Sequence, residues 1–294
     1  MYSLFYLATA MALLSGGKAA AGPVPYRYWE SASVQSNGIR LHYWRSGGAG
    51  KPVMIMAHGI TDFGLNWATL AGKFEGEYDI IMYDARGHGF SQKPEGPYDL
   101  ATHVEDLVGL VKALNIRKPI LVGHSMGGSI VALTGATYPD LPRAVIMEDP
   151  PMEESLEQLT EAIMEDWRGW ITEQAAMPKA ELMERARTKY HPGWPAFEYH
   201  LWAESKLLVV PEVVDILKGV GFGNPREMFA KITAPALILK ADAEKKNRKR
   251  HLEAAALLPN GKLVHFDGAG HLIRHDKPAE TEREIRAFLA GLAP

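Results

Sequence analysis

The stretch that most constrains the chain is Pro119-Ile-Leu-Val-Gly-His-Ser-Met-Gly-Gly-Ser129. Ile120 to Gly123 is apolar or β-branched, as in a short buried strand, and Ser129 to Thr137 is small and apolar enough for a helix lying on a sheet. Between them Gly123-His124-Ser125-Met126-Gly127 has the spacing G-x-S-x-G. A strand that turns into a helix within so few residues forces its central residue, Ser125, out of the ordinary backbone regions. Side chains two positions either side would collide with such a turn, and glycine at both places removes the collision. The turn lifts the Ser125 hydroxyl clear of the sheet, while the following helix directs its free N–H groups and dipole at the same spot.

The chain around this stretch alternates strand and helix patterns. Asn37-Gly38 sits between two alternating segments and predicts a hairpin. Val53 to Ala57, Asp79 to Asp84 and Arg143 to Asp149 are continuous apolar strands, the pattern of parallel strands covered on both faces. Asp99 to Leu114 has helical spacing at Val104, Leu107, Val108, Val111 and Leu114. The alternation stops from Met152 to about Ala230, a mostly helical segment interrupted by prolines and holding four of the seven tryptophans. Strand pattern returns at Ala236 to Lys240 and Leu263 to Phe266, and a helix from Ala279 to Leu292 ends the chain. The expected class is α/β: a mostly parallel sheet with helices on both faces and a helical cap inserted before the last two strands. The expected units are a core of residues 23–151 and 231–294, a cap of residues 152–230, and a segment 1–22 outside both.

Taken together, these motifs resemble the serine branch of the α/β-hydrolase superfamily, with Ser125 on its nucleophile elbow. The resemblance extends from Ser33 onward. It implies a catalytic serine, a later acid and a still later histidine. Gly268-Ala-Gly-His271 occupies the histidine's place, after the last strand; of 11 histidines it alone combines that position with glycine-rich surroundings. For the acid the resemblance favours Glu244, because Ala241-Asp-Ala-Glu244 stands where the family has Gly-x-x-Asp. Asp242 and Asp149 remain alternatives, the latter because some members draw the acid from the end of the strand after the nucleophile helix. His58-Gly59-Ile60 resembles the family's oxyanion loop, which makes the Ile60 and Met126 amides the expected oxyanion hole, with His58 bonding loop backbone. Asp84-Ala-Arg-Gly-His-Gly-Phe-Ser91 resembles a family loop in which Asp84 and Arg86 brace the site.

The implied reaction is cofactor-free hydrolysis of a carboxylic ester or lactone, as by a carboxylesterase or lactonase. Carbon–carbon bond hydrolysis and haloperoxidase or perhydrolase chemistry use the same residues, and a ligand receptor on this fold is the reading of another class. The Asp nucleophile of dehalogenases and epoxide hydrolases is absent, since position 125 is serine. Asp62, Trp194 and Trp202 are the expected substrate contacts, with a helix N-cap as the other role for Asp62 and lid core as the other role for the tryptophans. Trp67 is a further candidate beside Asp62. Apolar walls around one reactive carbonyl suit a medium-sized, partly hydrophobic small molecule.

Bulk properties narrow the partners. A net charge of −3 gives no reason to expect nucleic acid, so the basic run Lys245 to His251 reads as a solvated helix face. Without cysteine there is no disulfide framework and no thiolate nucleophile. The pair His271 and His275 lacks the glutamate of H-E-x-x-H, so no metal is expected. Leu4 to Leu14 is apolar but too short to span a membrane. Ala19-Ala20-Ala21 after it would suit signal cleavage, although no basic residue precedes the run. A signal peptide, implying secretion or a periplasmic location, and a plain N-terminal extension, compatible with the cytoplasm, both fit. Oligomeric state is not legible.

Overall fold

The computed structural model describes residues 28–152, 161–218 and 222–292. The N-terminal segment 1–22 and part of the expected cap lie outside them. Eight strands form one sheet in the order β1-β2-β4-β3-β5-β6-β7-β8. They are β1 (Glu30–Ser36), β2 (Ile39–Arg45), β3 (Val53–Ala57), β4 (Asp79–Tyr83), β5 (Ile120–His124), β6 (Ala144–Glu148), β7 (Ala236–Lys240) and β8 (Gly261–His265). β1, β2 and β4 pair antiparallel, and every pairing from β4 through β8 is parallel. The β1–β2 hairpin turns at Asn37-Gly38, both at positive φ (46° and 79°), as a two-residue turn matching strand twist requires.

β4, β5, β6 and β7 are buried at every residue, consistent with their unbroken apolar runs. Two apolar layers result. One places α2 (Leu100–Ala113) and α3 (Met126–Thr137) against one face through Leu107, Leu110, Ile130 and Val131. The other packs α1 (Ala68–Phe74) and the C-terminal helix, α10 (Pro278–Ala290), against the opposite face through Phe74, Ile285 and Leu289. Asp99 caps α2, its carboxylate accepting from the Thr102 amide.

The described residues between β6 and β7 are mostly helical: α4 (Glu161–Ala175), α5 (Lys179–Arg185), α6 (Ala196–Leu207) and α7 (Pro225–Phe229), with a 3-10 turn at Pro211–Leu217. The segment has a small core of its own, where Leu182, Ala186, Tyr199, Trp202 and Ala203 meet. It touches the loops at the C-terminal ends of β3 and β4: Lys206 bonds Thr61, and the Val210 amide bonds the Gly87 carbonyl. Among the described residues no helix is long and apolar enough to cross a membrane.

Candidate active site

Parallel strands all end on one edge, so the loops after β3, β5, β6, β7 and β8 gather there. Ser125 follows β5 at φ 52°, ψ −115°, a conformation side chains rarely adopt. Its glycine neighbours are obligatory for a steric reason. A Cβ on Gly123 would lie 2.1 Å from the Gly127 carbonyl oxygen, and one on Gly127 would lie 2.1 Å from that of Ala57. The Ser125 amide donates to the Glu148 carbonyl (3.0 Å), which locks the elbow to the end of β6.

The next residue along β6, Asp149, also sits at positive φ (42°), and this turn aims its side chain across the sheet edge. Its Oδ2 lies 2.5 Å from His271 Nδ1. The carboxylate that faces the histidine is therefore that of Asp149, and the expectation of Glu244 is corrected. Glu244 is exposed at the N-terminal boundary of α8 (Lys245–Ala255), where the start of the helix carries it away from the edge. Asp242 does not meet His271 either. It accepts from the Gly268 amide and from Arg248, which hold its carboxyl down at about 2, the Arg248 bond first among the causes. A helix begins at once after this β7 loop, whereas Asp149, just past the end of β6, bonds the histidine.

Burial acts to raise the Asp149 carboxyl, but the His271 hydrogen bond and the nearby Lys240 ammonium outweigh it and hold the group well below the ordinary carboxylate range. Lys240 Nζ is 2.7 Å from Asp149 Oδ1, which also accepts from the Ala241 amide (3.1 Å). Asp149 is buried, whereas the His271 side chain keeps 55% exposure, so the imidazole is reachable from outside while its partner is shielded. His271 is fixed by its main chain as well. His124 Nε2 donates to the His271 carbonyl (3.0 Å), and the two rings lie 4.6 Å apart. The residue adjoining Ser125 thus holds the loop that carries His271.

The loop after β3 is rigid around the peptide that joins Gly59 to Ile60. His58 Nδ1 donates to the Gly59 carbonyl (2.8 Å), and its Nε2 accepts from the Ala85 amide (2.9 Å). The tautomer is fixed by these bonds, and burial lowers the ring's affinity for a second proton. The Asp62 amide also donates to the Gly59 carbonyl (3.0 Å), so this peptide's plane, and hence the direction of the Ile60 N–H, is set from two sides. The Gly127 amide ties the elbow helix to the same loop through the His58 carbonyl (3.1 Å). Asp84 and Arg86 brace: Asp84 accepts from the Gly64 and Phe90 amides, and Arg86 forms a buried fork with Asp106 (2.6 Å for each bond).

The expected substrate contacts fall into different surroundings. Asp62 is not a helix cap; the short helix Gly64–Trp67 is closed by Asn66 bonding the Phe63 amide. Instead Asp62 is buried between His124 Nδ1 and Lys206 Nζ, each 3.6 Å away. Burial raises its carboxyl and these two partners more than reverse that, so it stays anionic. Trp67 is fully buried with Arg274 over its ring, which removes it from contact with a substrate. Trp202 is buried in the helical segment's core beneath Lys206. Trp194 is half-buried, stacked between the rings of His191 and His275 (3.9 and 4.2 Å).

Several residues of this edge escape motif reading. Lys240, Lys206, His124 and the Glu148–Arg274 pair carry no family-independent signature; a lysine closing the apolar run Ala236-Leu-Ile-Leu was the one visible hint. Arg274 donates from its amide and its guanidinium to Glu148 (2.7 and 2.8 Å), pinning the short helix α9 (Ile273–Asp276) beside β6. Among the described residues no group of three or more His, Asp or Glu side chains could hold a metal. In the run Lys245 to His251, four cationic side chains face solvent, Arg248 pairs with Asp242 and Asp267, and His251 is buried.

A serine on a strained strand-to-helix turn, at the C-terminal edge of a sheet in this order, with a histidine–aspartate pair from neighbouring loops, defines an α/β-hydrolase. The chain belongs to that family: the alpha/beta hydrolase fold model matches residues 52–278. It is 28% identical over 259 residues to 2-(acetamidomethylene)succinate hydrolase of Mesorhizobium japonicum, covering 83% of this chain and 90% of that one. It is 26% identical over 283 residues to mouse epoxide hydrolase 3, covering 88% and 76%. The crystal structure of E-2-(acetamidomethylene)succinate hydrolase superposes with a TM-score of 0.76 at 24% identity, over 90% of this chain and 100% of the other.

Proposed function

We propose that this hydrolase is a serine enzyme that cleaves a carboxylic ester or lactone of a medium-sized, partly hydrophobic small molecule through an acyl-enzyme on Ser125. The observation that carries the reading is the edge geometry: the elbow bonds the loop of His271 through His124 and the loop of His58 to Ile60 through the Gly127 amide, and Asp149 bonds His271 Nδ1. Ser125 Oγ attacks the substrate carbonyl while His271 takes its proton. Asp149 keeps Nδ1 protonated and balances the imidazolium that forms. The Ile60 and Met126 amides stabilise the oxyanion of the tetrahedral intermediate. His271 returns the proton to the leaving alkoxide, then draws one from the water that releases the acid and regenerates Ser125. No metal or cofactor enters any of these steps. The segment of residues 152–230 acts as the lid, with Trp194 as its contact to substrate.

Serine at position 125 argues against the epoxide-opening activity named for the mouse relative, which in the family uses an aspartate nucleophile. A second reading has specific support: the Mesorhizobium relative is named for an acetamide-bearing acid, and amide cleavage uses the same acyl chemistry. Carbon–carbon hydrolysis and cofactor-free haloperoxidase or perhydrolase chemistry are the other variants of this site. The test is hydrolysis of a panel of 4-nitrophenyl esters, γ-lactones and N-acetyl enamides by wild type and Ser125→Ala. Turnover of an ester or lactone that is lost in Ser125→Ala supports the first reading. Turnover of the enamides alone moves the assignment to amides. No turnover at all, with reversible ligand binding, makes the protein a receptor on this fold.

A further inference from the structure

Lys240 ends β7, a strand whose other four residues are wholly apolar, and is itself 6% exposed. A lysine at such a position has to be paired, because an unpartnered ammonium is too costly to bury. Its Nζ donates to Asp149 Oδ1 (2.7 Å) and to the Pro150 carbonyl (3.0 Å). The Lys240 ammonium and the Ala241 amide thus occupy Asp149 Oδ1 and leave Oδ2 to His271. Asp149 is held in the left-handed backbone region, where a small rotation of the side chain would break the 2.5 Å contact. The geometry therefore contains a second function for the lysine besides neutralising the aspartate.

We propose that Lys240 is a positioning residue for the hydrolytic reaction: its ammonium fixes Asp149 with Oδ2 towards His271, and its charge offsets part of the field that the carboxylate exerts on an imidazolium formed there. The inference rests on the serine-hydrolase reading above. A lone aspartate beside an imidazole stabilises the imidazolium and makes the ring more basic; a cation on the far oxygen offsets part of that field. The other groups facing the pair are His124 from β5, the Glu148–Arg274 ion pair, Asp276 on the His271 loop, and Asp242, which holds Gly268. Lys240 differs in that its ammonium lies in direct contact with the Asp149 carboxylate.

The test measures the rate at which a fluorophosphonate labels Ser125 as a function of pH, in the full chain, beside the unfolding temperature. Lys240→Gln keeps the length and a donor while removing the charge. The acidic limb should move up by about one pH unit, so that labelling at a pH on the wild-type limb falls about tenfold. Lys240→Arg should restore the wild-type limb. A uniform loss of rate with an unmoved limb, or a Lys240→Gln protein that no longer folds, would make the lysine a structural brace and overturn the proposal. Labelling that persists in Ser125→Ala overturns the serine-hydrolase reading itself. Labelling that vanishes in Ser125→Ala while the Lys240→Gln limb stays in place overturns the Lys240 assignment alone.

Discussion

Arg274 holds Glu148 from two sides, by its own backbone amide and by its guanidinium, and both side chains are almost wholly buried (3% and 2% exposed). The pair joins the end of β6, one residue before Asp149, to the helix that follows His271. Removing one partner leaves the other charged in a dry place. Arg274→Met should therefore lower stability by about 3–5 kcal/mol. Urea unfolding followed by circular dichroism measures it. A loss below ~1 kcal/mol would mean the pair is hydrated in solution and does not fix the loop.

Asp149→Asn should lower kcat on a nitrophenyl ester by about 10³- to 10⁴-fold, and it should also lower the melting temperature, because buried Lys240 loses its counter-ion. Glu244→Ala and Asp242→Ala should each stay within about threefold of wild type, since neither carboxylate approaches His271. Steady-state kinetics on the three variants decides the matter. A large loss in Glu244→Ala would require a rearranged β7 loop during catalysis.

His103 gives a pH-dependent stability with a defined sign. Burial pushes its imidazole down to about 4, and its Nδ1 donates to the Asp99 carbonyl. Between that value and the ordinary ~6.5 of the unfolded chain, the unfolded state binds a proton that the native state does not. Stability is then full above pH ~6.5 and falls as the pH drops towards 4, by about 3 kcal/mol from this group. His103→Gln should flatten that slope by about one proton in urea midpoints taken from pH 7 to 4. An unchanged slope would show that His103 is accessible to protons in the native state.

The two tryptophans of the helical segment should behave differently. Trp194, stacked on His191 and His275 and only half-buried, is the segment's proposed contact to a bound acyl chain. Trp194→Ala should alter the chain-length preference across C2 to C8 esters while changing acetyl ester turnover by less than about threefold. Trp202 lies in the segment's own core, so Trp202→Ala should cost about 3–5 kcal/mol of stability there. If Trp194→Ala keeps the wild-type profile, the pocket must be bounded by other residues.

Legibility tracked the range of each signal. The hairpin at Asn37-Gly38, the buried strands and the elbow came straight from local pattern, because strand burial and turn strain act over fewer than a dozen residues. β7 runs from Ala236 to Lys240, as the apolar run indicates. The last strand is displaced: the pattern pointed to Leu263 to Phe266, and pairing with β7 places it at Gly261–His265. Asp62 was legible as a residue of interest but not in its role, since Lys206 is 144 positions away and nothing in either segment announces the pairing.

The sequence by itself determined the fold class, the strained serine turn with its two glycines, and the late histidine, because each follows from period, steric volume or chain order. Tertiary structure alone decided which carboxylate meets that histidine. The order of strands on one edge brings Asp149 within 2.5 Å of His271 and sends Glu244 into the start of a helix. It also decided that Lys240 lies on the far oxygen of Asp149. Such contacts join residues some ninety to over a hundred positions apart. A carboxylate's partner is set by where its side chain ends in space, and local pattern carries no record of that.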